Sequence, residues 1–140
     1  MKKWFPILFV SCLFISAHSE QSLPGLYKSA KPSLLDQVTN KAMRARYHVM
    51  GSELMLKEDH SFEYTTCGNI ITGTWTSDDK NLYLLYKTNK YRIDSLNAVR
   101  PPLQIPDKPY GLKISKSGYL YYSMTEDDGN TLLMLLKKQD

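Results

Sequence analysis

The chain has 140 residues, a hydrophobic content of 42%, and 18 Lys and Arg residues against 14 Asp and Glu, which gives a net charge of +4. This length suits one domain of ordinary size rather than two. The positive charge does not predict nucleic-acid binding, because two of the lysines lie at positions 2 and 3 and the longest basic clusters elsewhere are only residues 44–46 and 137–138.

The N-terminus has the layout of a secretory signal. Two lysines precede an apolar run over residues 4–15, and Ala17 and Ser19 occupy the positions that a signal peptidase inspects. The sequence predicts cleavage after Ser19, which makes residues 1–19 a signal peptide and residues 20–140 a single exported domain. An apolar run of twelve residues is too short for a transmembrane span, because crossing the bilayer takes about 20 residues.

A second interpretation makes Cys12 a lipid-modified residue. Residues 9–12 resemble the lipobox of bacterial lipoproteins, although Phe9 stands where that motif usually has Leu. Cleavage before Cys12 would leave the apolar residues 13–15 at the start of the mature chain, where lipoproteins have a polar tether. We therefore favour plain export, periplasmic or secreted, with lipid anchoring through Cys12 as the alternative.

Residues 33–46 have the period of a short amphipathic helix. Ser33 is placed to cap the first turn, with Asp36 three residues later as in a capping box. The apolar side chains that recur at helical spacing are Leu34, Leu35, Val38, Ala42, Met43 and Ala45. The sequence therefore predicts one short amphipathic helix near the N-terminus.

The rest of the chain alternates with the period of two that is typical of β-strands. Residues 53–87 predict four consecutive antiparallel strands joined by three tight turns, the middle one at Gly68-Asn69. The side chains that share a face are Phe62 and Tyr64 on one strand and Ile71, Gly73 and Trp75 on the next. We expect Trp75 to be the main anchor of the core.

Two later strands are apolar on both faces. They cover residues 82–87 and 131–136, and such strands are typical of a sheet that is covered on both sides. For residues 82–87 the alternative is a strand that lies beside a partner. Between them, residues 96–109 contain four of the seven prolines. Proline is excluded from central strands, so this stretch predicts an extended crossing over the surface.

The candidate strands number eight or nine in residues 20–140. A sheet of that size tends to close on itself, because closure removes its exposed edges. The predicted fold is therefore all-β: an antiparallel up-and-down meander of eight or nine short strands that closes into a small barrel, with one short helix near the N-terminus.

The residues that carry a family resemblance lie within residues 25–86. They are Gly25-Leu26-Tyr27, the spacing Leu-x-Leu-x-x-Asp-x-Ser-Phe over residues 54–62, Gly73-Thr74-Trp75 and Leu82-Tyr83-Leu84. This half of the chain resembles the lipocalin-like domains of exported bacterial proteins. The resemblance implies a small β-barrel that binds a small apolar molecule in its interior, without catalysis.

Few residues suggest chemistry beyond binding. His48 and His60 are the histidines of the predicted domain, and Glu58 and Asp59 adjoin His60 on one turn, where such neighbours do not converge on a metal ion.

Cys67 has no activating base beside it, so we expect a small buried hydrophobe rather than a reactive thiol. No Gly-x-Ser-x-Gly elbow or paired acid motif is present, and the sequence predicts no enzyme, catalytic residue, metal or cofactor.

Ten tyrosines are the most notable excess in the composition. Most are expected to fill the barrel or cover its wall, and a pocket lined by some of them is the functional alternative. The side chains predicted to line a ligand site are Trp75, Phe62, Tyr64, Leu84, Tyr86 and Tyr121. The leading hypothesis is an exported, non-enzymatic binding module that holds a small apolar ligand in the barrel. The alternative is a filled-core interaction protein that contacts a protein or an envelope polymer through an exposed face or residues 96–109.

Overall fold

The computed structural model describes residues 22–140, so the predicted signal peptide and Cys12 lie outside the described residues. Within that range the chain forms nine strands, two short α-helices and one 3₁₀ turn. The strands are β1 Gly25–Ser29, β2 Tyr47–Val49, β3 Glu53–Leu56, β4 Ser61–Thr65, β5 Asn69–Ser77, β6 Asn81–Tyr91, β7 Tyr110–Ile114, β8 Leu120–Thr125 and β9 Thr131–Lys138. The helices are α1 Leu34–Thr39 and α2 Asp94–Val99, and the 3₁₀ turn is Lys41–Met43. Among residues 22–140, neither helix has the length and apolar character needed to cross a membrane.

Eight of the strands form a closed antiparallel barrel. Their order around the barrel is β1, β3, β4, β5, β6, β7, β8 and β9, and β1 pairs with β9 to close it. The exception is β2, which lies parallel to β9 outside this meander. The prediction of an all-β antiparallel meander that closes into a small barrel is confirmed.

The connections between successive barrel strands alternate between the two ends of the barrel. One end has the connections over residues 57–60, 78–80 and 115–119, and we call it the turn end. The other has the connections over residues 30–52, 66–68, 92–109 and 126–130, and we call it the helix end because it carries both helices.

The barrel interior is filled by side chains at alternate positions of the strands. As predicted, each pair of side chains expected to share a face does so and points inward. The buried interior side chains are Tyr27, Leu54, Leu56, Phe62, Tyr64, Ile71, Trp75, Leu82, Leu84, Leu112, Leu120, Met134 and Leu136. None of these is more than 7% exposed. Because burial stabilises by roughly 25 cal/mol per Å² of apolar surface, this cluster is the main source of stability.

Trp75 anchors the interior near the turn end, as predicted. Its side chain is 5% exposed, and its indole Nε1 donates to the carbonyl oxygen of Lys57 at 3.0 Å. The His60 ring lies 4.5 Å from the indole ring, centre to centre. Two residues earlier, Gly73 leaves room for a neighbouring ring, because a Cβ there would lie 2.9 Å from Cε1 of Phe62.

The helix predicted over residues 33–46 is wrong in its length. The capping box of Ser33 and Asp36 is confirmed, but α1 has only six residues. It ends because Asn40 is extended and its side chain accepts a hydrogen bond from the N–H of Ala42, which starts the 3₁₀ turn. No side chain of α1 is buried, so this helix is not the core-packing element that its apolar pattern indicated.

The two strands predicted to be covered on both faces differ. On β9 the prediction is confirmed, because Leu133 and Leu135 face outward and Met43 of the 3₁₀ turn packs against them. On β6 the prediction of cover by the chain itself is wrong, because the outward side chains of Tyr83 and Leu85 are 37% and 45% exposed. A partner beside this strand stays a prediction. The segment containing the 3₁₀ turn packs on β8 and β9, so the outer wall at β6 faces solvent.

Two loop predictions also need correction. The extended crossing predicted over residues 96–109 begins inside α2, which ends at residue 99. Cys67, predicted to be buried, is exposed. It lies in the turn between β4 and β5, where the inward and outward alternation of the strand no longer applies.

Candidate functional site

Four tyrosines lie together inside the barrel, toward the helix end. The ring centres of Tyr86 and Tyr110 are 6.3 Å apart, and those of Tyr110 and Tyr122 are 5.3 Å apart. Phe62 lies 5.9 Å from Tyr86 on the other side. The phenol of Tyr64 lies close enough to those of Tyr86 and Tyr110 to contribute to their raised pKa values. We call Tyr64, Tyr86, Tyr110 and Tyr122 the tyrosine cluster.

Burial raises the pKa of three members of the tyrosine cluster. It raises the pKa of Tyr86 to about 12, and it raises the pKa values of Tyr64 and Tyr110 above the ordinary value. Tyr64 donates to the sulfur of Met134 at 3.0 Å. Among residues 22–140, the hydroxyls of Tyr86, Tyr110 and Tyr122 have no protein hydrogen-bond partner. At neutral pH the hydroxyls of Tyr86 and Tyr110, whose pKa values are raised, offer hydrogen bonds beside aromatic faces rather than acid–base chemistry.

The structure brings together five of the six side chains predicted to line a ligand site. The five that face the interior are Trp75, Phe62, Tyr64, Leu84 and Tyr86. Tyr121 does not join them, because it lies on the outer wall and packs against the cluster that contains Met43. Sequence reasoning missed Tyr110 and Tyr122. The signal for Tyr122 was its spacing of two residues from the buried Leu120, which places it on the inner face of β8.

A cleft of about 530 Å³ lies beside the second half of β6. β7 pairs with β6 only over residues 81–84, so within residues 22–140 the rest of β6 has a strand neighbour on one side alone. α2 and residues 100–105 face this free edge in place of a strand. The lining residues are Lys87, Thr88, Asn89, Lys90, Tyr91, Asp94, Asn97, Arg100, Pro101, Pro102, Leu103 and Ile105. We call this site the edge cleft.

Two asparagines hold the wall of the edge cleft in place. The side chain of Asn97 accepts from the N–H of Tyr91 and donates to its carbonyl oxygen, both at 2.9 Å. Asn89 donates from Nδ2 to the carbonyl oxygen of Gln104 at 2.9 Å. Its Oδ1 is buried and has no partner among the described residues. Asn97 thus takes the place of a neighbouring strand at the end of β6, and Asn89 ties the loop to the barrel.

The main-chain groups of alternate residues in the second half of β6 also face the edge cleft. Successive residues of a strand direct their N–H and C=O groups to opposite sides. Because those of Tyr91 point to Asn97, those of Asn89 point to the same side. The N–H of Arg92 donates instead to Gly68, on the β5 side. The edge cleft therefore offers both main-chain and side-chain hydrogen-bonding groups.

The edge cleft carries more positive than negative charge. Its ionisable residues include Lys87, Lys90 and Arg100 against a single carboxylate, Asp94. The ion pair that forms within residues 22–140 joins Lys28 and Glu53 elsewhere on the barrel, so no carboxylate neutralises these three cations by contact. The guanidinium of Arg100 lies 5.9 Å from the ring centre of Tyr91, which is within the range of a cation–π interaction.

A second cleft, of about 260 Å³, lies on the outer wall across β1, β3 and β4. It is lined by Leu26, Glu53, Met55, Lys57, Glu63 and Thr65. We call it the wall cleft. Its two carboxylates against one lysine give it the opposite charge balance, so it serves as a comparison surface for the edge cleft.

The turn that carries His60 makes structural contacts. Nδ1 of His60 lies 3.3 Å from the carbonyl oxygen of Trp75. Within the residues that the structure describes, no group of three or more His, Cys, Asp or Glu side chains is placed to hold a metal ion. The sulfur of Cys67 lies 3.8 Å from the carbonyl oxygen of Met50.

Comparison with known proteins does not assign the chain to a family. No protein-family model, curated protein or solved structure matches the chain. The resemblance to lipocalin-like domains stays a prediction from residues 25–86. The fold itself defines a small closed β-barrel, which is consistent with a binding module.

Proposed function

We propose that this protein is an exported, non-enzymatic binding module that holds an extended segment of a protein partner along the free edge of β6. The observation that carries the proposal is the edge cleft, where the unpaired half of β6 faces a preformed wall. An extended peptide adds to such an edge as a further strand: main-chain hydrogen bonds supply affinity, and contacts with alternate side chains supply specificity. This develops the hypothesis of a partner contact through residues 96–109.

The lining of the edge cleft describes the segment that fits it. The main-chain N–H of Asn89 suits a carbonyl oxygen of a peptide, and its main-chain carbonyl oxygen suits a peptide N–H. Lys90 and Arg100 favour acidic side chains, because opposite charges attract strongly at short range. Leu103 and Ile105 supply apolar contact. We expect a segment in which acidic and aliphatic residues are interspersed.

The barrel acts as the scaffold for this edge. Thirteen of its interior side chains are 7% exposed or less, and Tyr86, Tyr110 and Tyr122 are partly buried beside them. The thirteen buried side chains support a filled core over the leading hypothesis of a ligand held inside. A close-packed core has low compressibility, so it holds β6 in a fixed geometry. Export is proposed from the signal-peptide pattern of residues 1–19. Binding without catalysis is proposed from the sequence, which has no Gly-x-Ser-x-Gly elbow and no paired acid motif.

A second candidate is a small apolar ligand bound at the tyrosine cluster. The observation that favours it is the set of three hydroxyls, on Tyr86, Tyr110 and Tyr122, without a protein hydrogen-bond partner among the described residues. A ligand with one acceptor and an aromatic or aliphatic body would satisfy them and contact the rings.

Selection of displayed random peptides against the purified protein, followed by a ¹⁵N–¹H NMR titration with the best peptide, tests the proposal. We expect chemical-shift changes in residues 85–91 and 100–105. Arg100→Gln should weaken binding and reduce its dependence on salt, because it removes a cation from the cleft. Lys57→Gln is the matched control, since it removes a cation from the wall cleft instead.

Three results of this experiment bear on the two candidates. Shifts confined to the edge cleft, with loss of affinity in Arg100→Gln and not in Lys57→Gln, support strand addition. Shifts of the aromatic signals of the tyrosine cluster on addition of octanol, with no peptide selected, favour the second candidate. A peptide that perturbs the wall cleft and leaves β6 unchanged would contradict the proposal.

A further inference from the structure

The exposed apolar side chains are concentrated at one end of the barrel. Twelve large apolar side chains are exposed within residues 22–140. Five of them lie within residues 34–50, three within residues 93–105, and one is Met124. Eight of these nine lie in connections of the helix end, and Met124 lies in β8 beside one of them. Of the other three, Met55 lies in β3 beside a connection of the turn end, and Tyr83 and Leu85 lie on the barrel wall.

α1 is the most exposed part of this surface. Its side chains Leu34, Leu35 and Val38 are 82%, 71% and 71% exposed, although a helix of a globular protein normally turns its apolar residues to the core. α2 repeats the pattern, with Ile93 beside its start and Val99 at its end exposed by 61% and 77%. Exposed apolar side chains gathered in this way mark a contact surface rather than chance exposure.

Positive charge surrounds the apolar tip of α1. Residues 30–52 contain four Lys and Arg against one carboxylate, Asp36, and that carboxylate is engaged in the capping box of α1. The guanidinium of Arg44 donates to the carbonyl oxygens of Gln37 and Val38, which fixes a cation at the end of the helix. The acidic turn over residues 126–130 lies at the same end, where Asn130 accepts a hydrogen bond from Arg46. Its three carboxylates leave residues 30–52 as the basic part of the helix end.

We propose that the helix end, led by α1, docks on the surface of an anionic phospholipid bilayer. Leu34, Leu35 and Val38 would enter the boundary between headgroups and acyl chains, while Lys31, Lys41 and Arg44 contact lipid phosphates. Interfacial segments combine these two terms, apolar burial and attraction to anionic lipid. The apolar residues come from separate connections around the barrel rim, an arrangement that suits a flat surface. This contact goes beyond the peptide site and does not depend on it.

Co-sedimentation with unilamellar vesicles tests this docking. The probes are vesicles of phosphatidylcholine alone and of phosphatidylcholine mixed with an equal part of phosphatidylglycerol. Wild type should partition to the mixed vesicles and lose that affinity in high salt. The triple variant Leu34→Gln, Leu35→Gln, Val38→Gln should partition at least about tenfold more weakly, which corresponds to about 1.4 kcal/mol. It should still fold, because none of these side chains is buried.

Two further variants test the electrostatic contribution to docking and the location of the contact surface. Lys31→Gln with Lys41→Gln should weaken binding to the mixed vesicles by about fivefold per cation, the factor for about 1 kcal/mol per cation near an anionic surface. Tyr83→Gln with Leu85→Gln is the matched control: it removes exposed apolar side chains from the barrel wall and should leave partitioning unchanged.

Each of the remaining outcomes would overturn the proposal. Equal binding to both vesicle types would contradict the attraction to anionic lipid. An equal loss of vesicle binding in the variant with Tyr83→Gln and Leu85→Gln would show that the helix end is not the surface that contacts the bilayer. No vesicle binding, with a dimer in light scattering that the α1 variant dissociates, would make this surface an interface between copies of the chain.

Discussion

Gly73→Ala is the substitution whose effect the structure predicts most sharply. Gly73 faces the interior between Phe62 of β4 and Tyr86 of β6, next to a register irregularity between β5 and β6. A Cβ at this position would lie 1.9 Å from the carbonyl oxygen of Leu85 and 2.9 Å from Cε1 of Phe62. A ring can turn aside, but the Leu85 oxygen belongs to the main chain of β6, so the strand itself must move.

The expected loss of stability is large because the main chain of β6, and not only a side chain, must move. Overpacking that side chains absorb costs about 1 to 3 kcal/mol. Because main chain must shift here, we expect a loss of about 3 kcal/mol or more from the free energy of unfolding. For a domain of this size each kcal/mol lowers Tm by about 4 °C, so the melting temperature should fall by about 12 °C or more.

Thermal denaturation followed by circular dichroism measures this loss, and Gly111→Ala is its matched control. Gly111 is also a strand glycine, but a Cβ there would meet only the Tyr83 ring, at 3.9 Å. Its stability should change by less than about 0.5 kcal/mol. Equal melting temperatures of Gly73→Ala and Gly111→Ala would contradict the close contact of Gly73 with Phe62 and with the main chain of Leu85. They would then also contradict the register between β5 and β6, the two longest strands.

Four further substitutions test other parts of the structure. Trp75→Ala should lower the free energy of unfolding by about 3 to 5 kcal/mol because it empties a buried site, whereas His60→Ala, at an exposed turn, should cost less than about 1 kcal/mol in the same urea titration. The pKa of Tyr86 rises from 10 to about 12 on folding, so the folded state keeps the Tyr86 proton to a higher pH than the unfolded state does. The contribution of this group to the free energy of unfolding is complete below pH 10 and is lost as the pH rises to about 12. Tyr86→Phe should therefore flatten the alkaline fall of Tm relative to wild type, and an unchanged fall would show that Tyr86 does not titrate in this way. Asn97→Ala should speed hydrogen exchange at the Tyr91 amide with little change in Tm, and unchanged exchange would contradict the bond between them.

The alternation of side chains predicted most of the barrel. Phe62, Tyr64 and Trp75 face inward because the period of two in β4 and β5 is set locally by the strand backbone. The closure of β1 on β9 follows from the number of strands and the need to remove edges. These features depend on local geometry, which a sequence carries directly.

What the sequence did not predict depends on which segments cover the barrel. Tyr121 is turned outward because the segment around Met43 packs on β8 and β9, and no local pattern states where that segment lies. Leu34 and Leu35 stay exposed although their spacing resembles that of a buried helix face. The edge cleft exists because β7 stops pairing with β6 at Leu84, and this is a property of the register that only the assembled sheet shows.

The affinity of the selected peptide for Asn89→Pro, compared with Asn89→Ala, tests the free-edge claim most directly. Both variants lose the Asn89 side chain, but only proline also removes the main-chain N–H that faces the edge cleft. The N–H groups that pair with β5 belong to neighbouring residues, so both variants should keep this ladder. One hydrogen bond of about 1 kcal/mol predicts that Asn89→Pro binds about fivefold more weakly than Asn89→Ala. Equal affinities for the two variants would contradict the addition of a partner strand to β6.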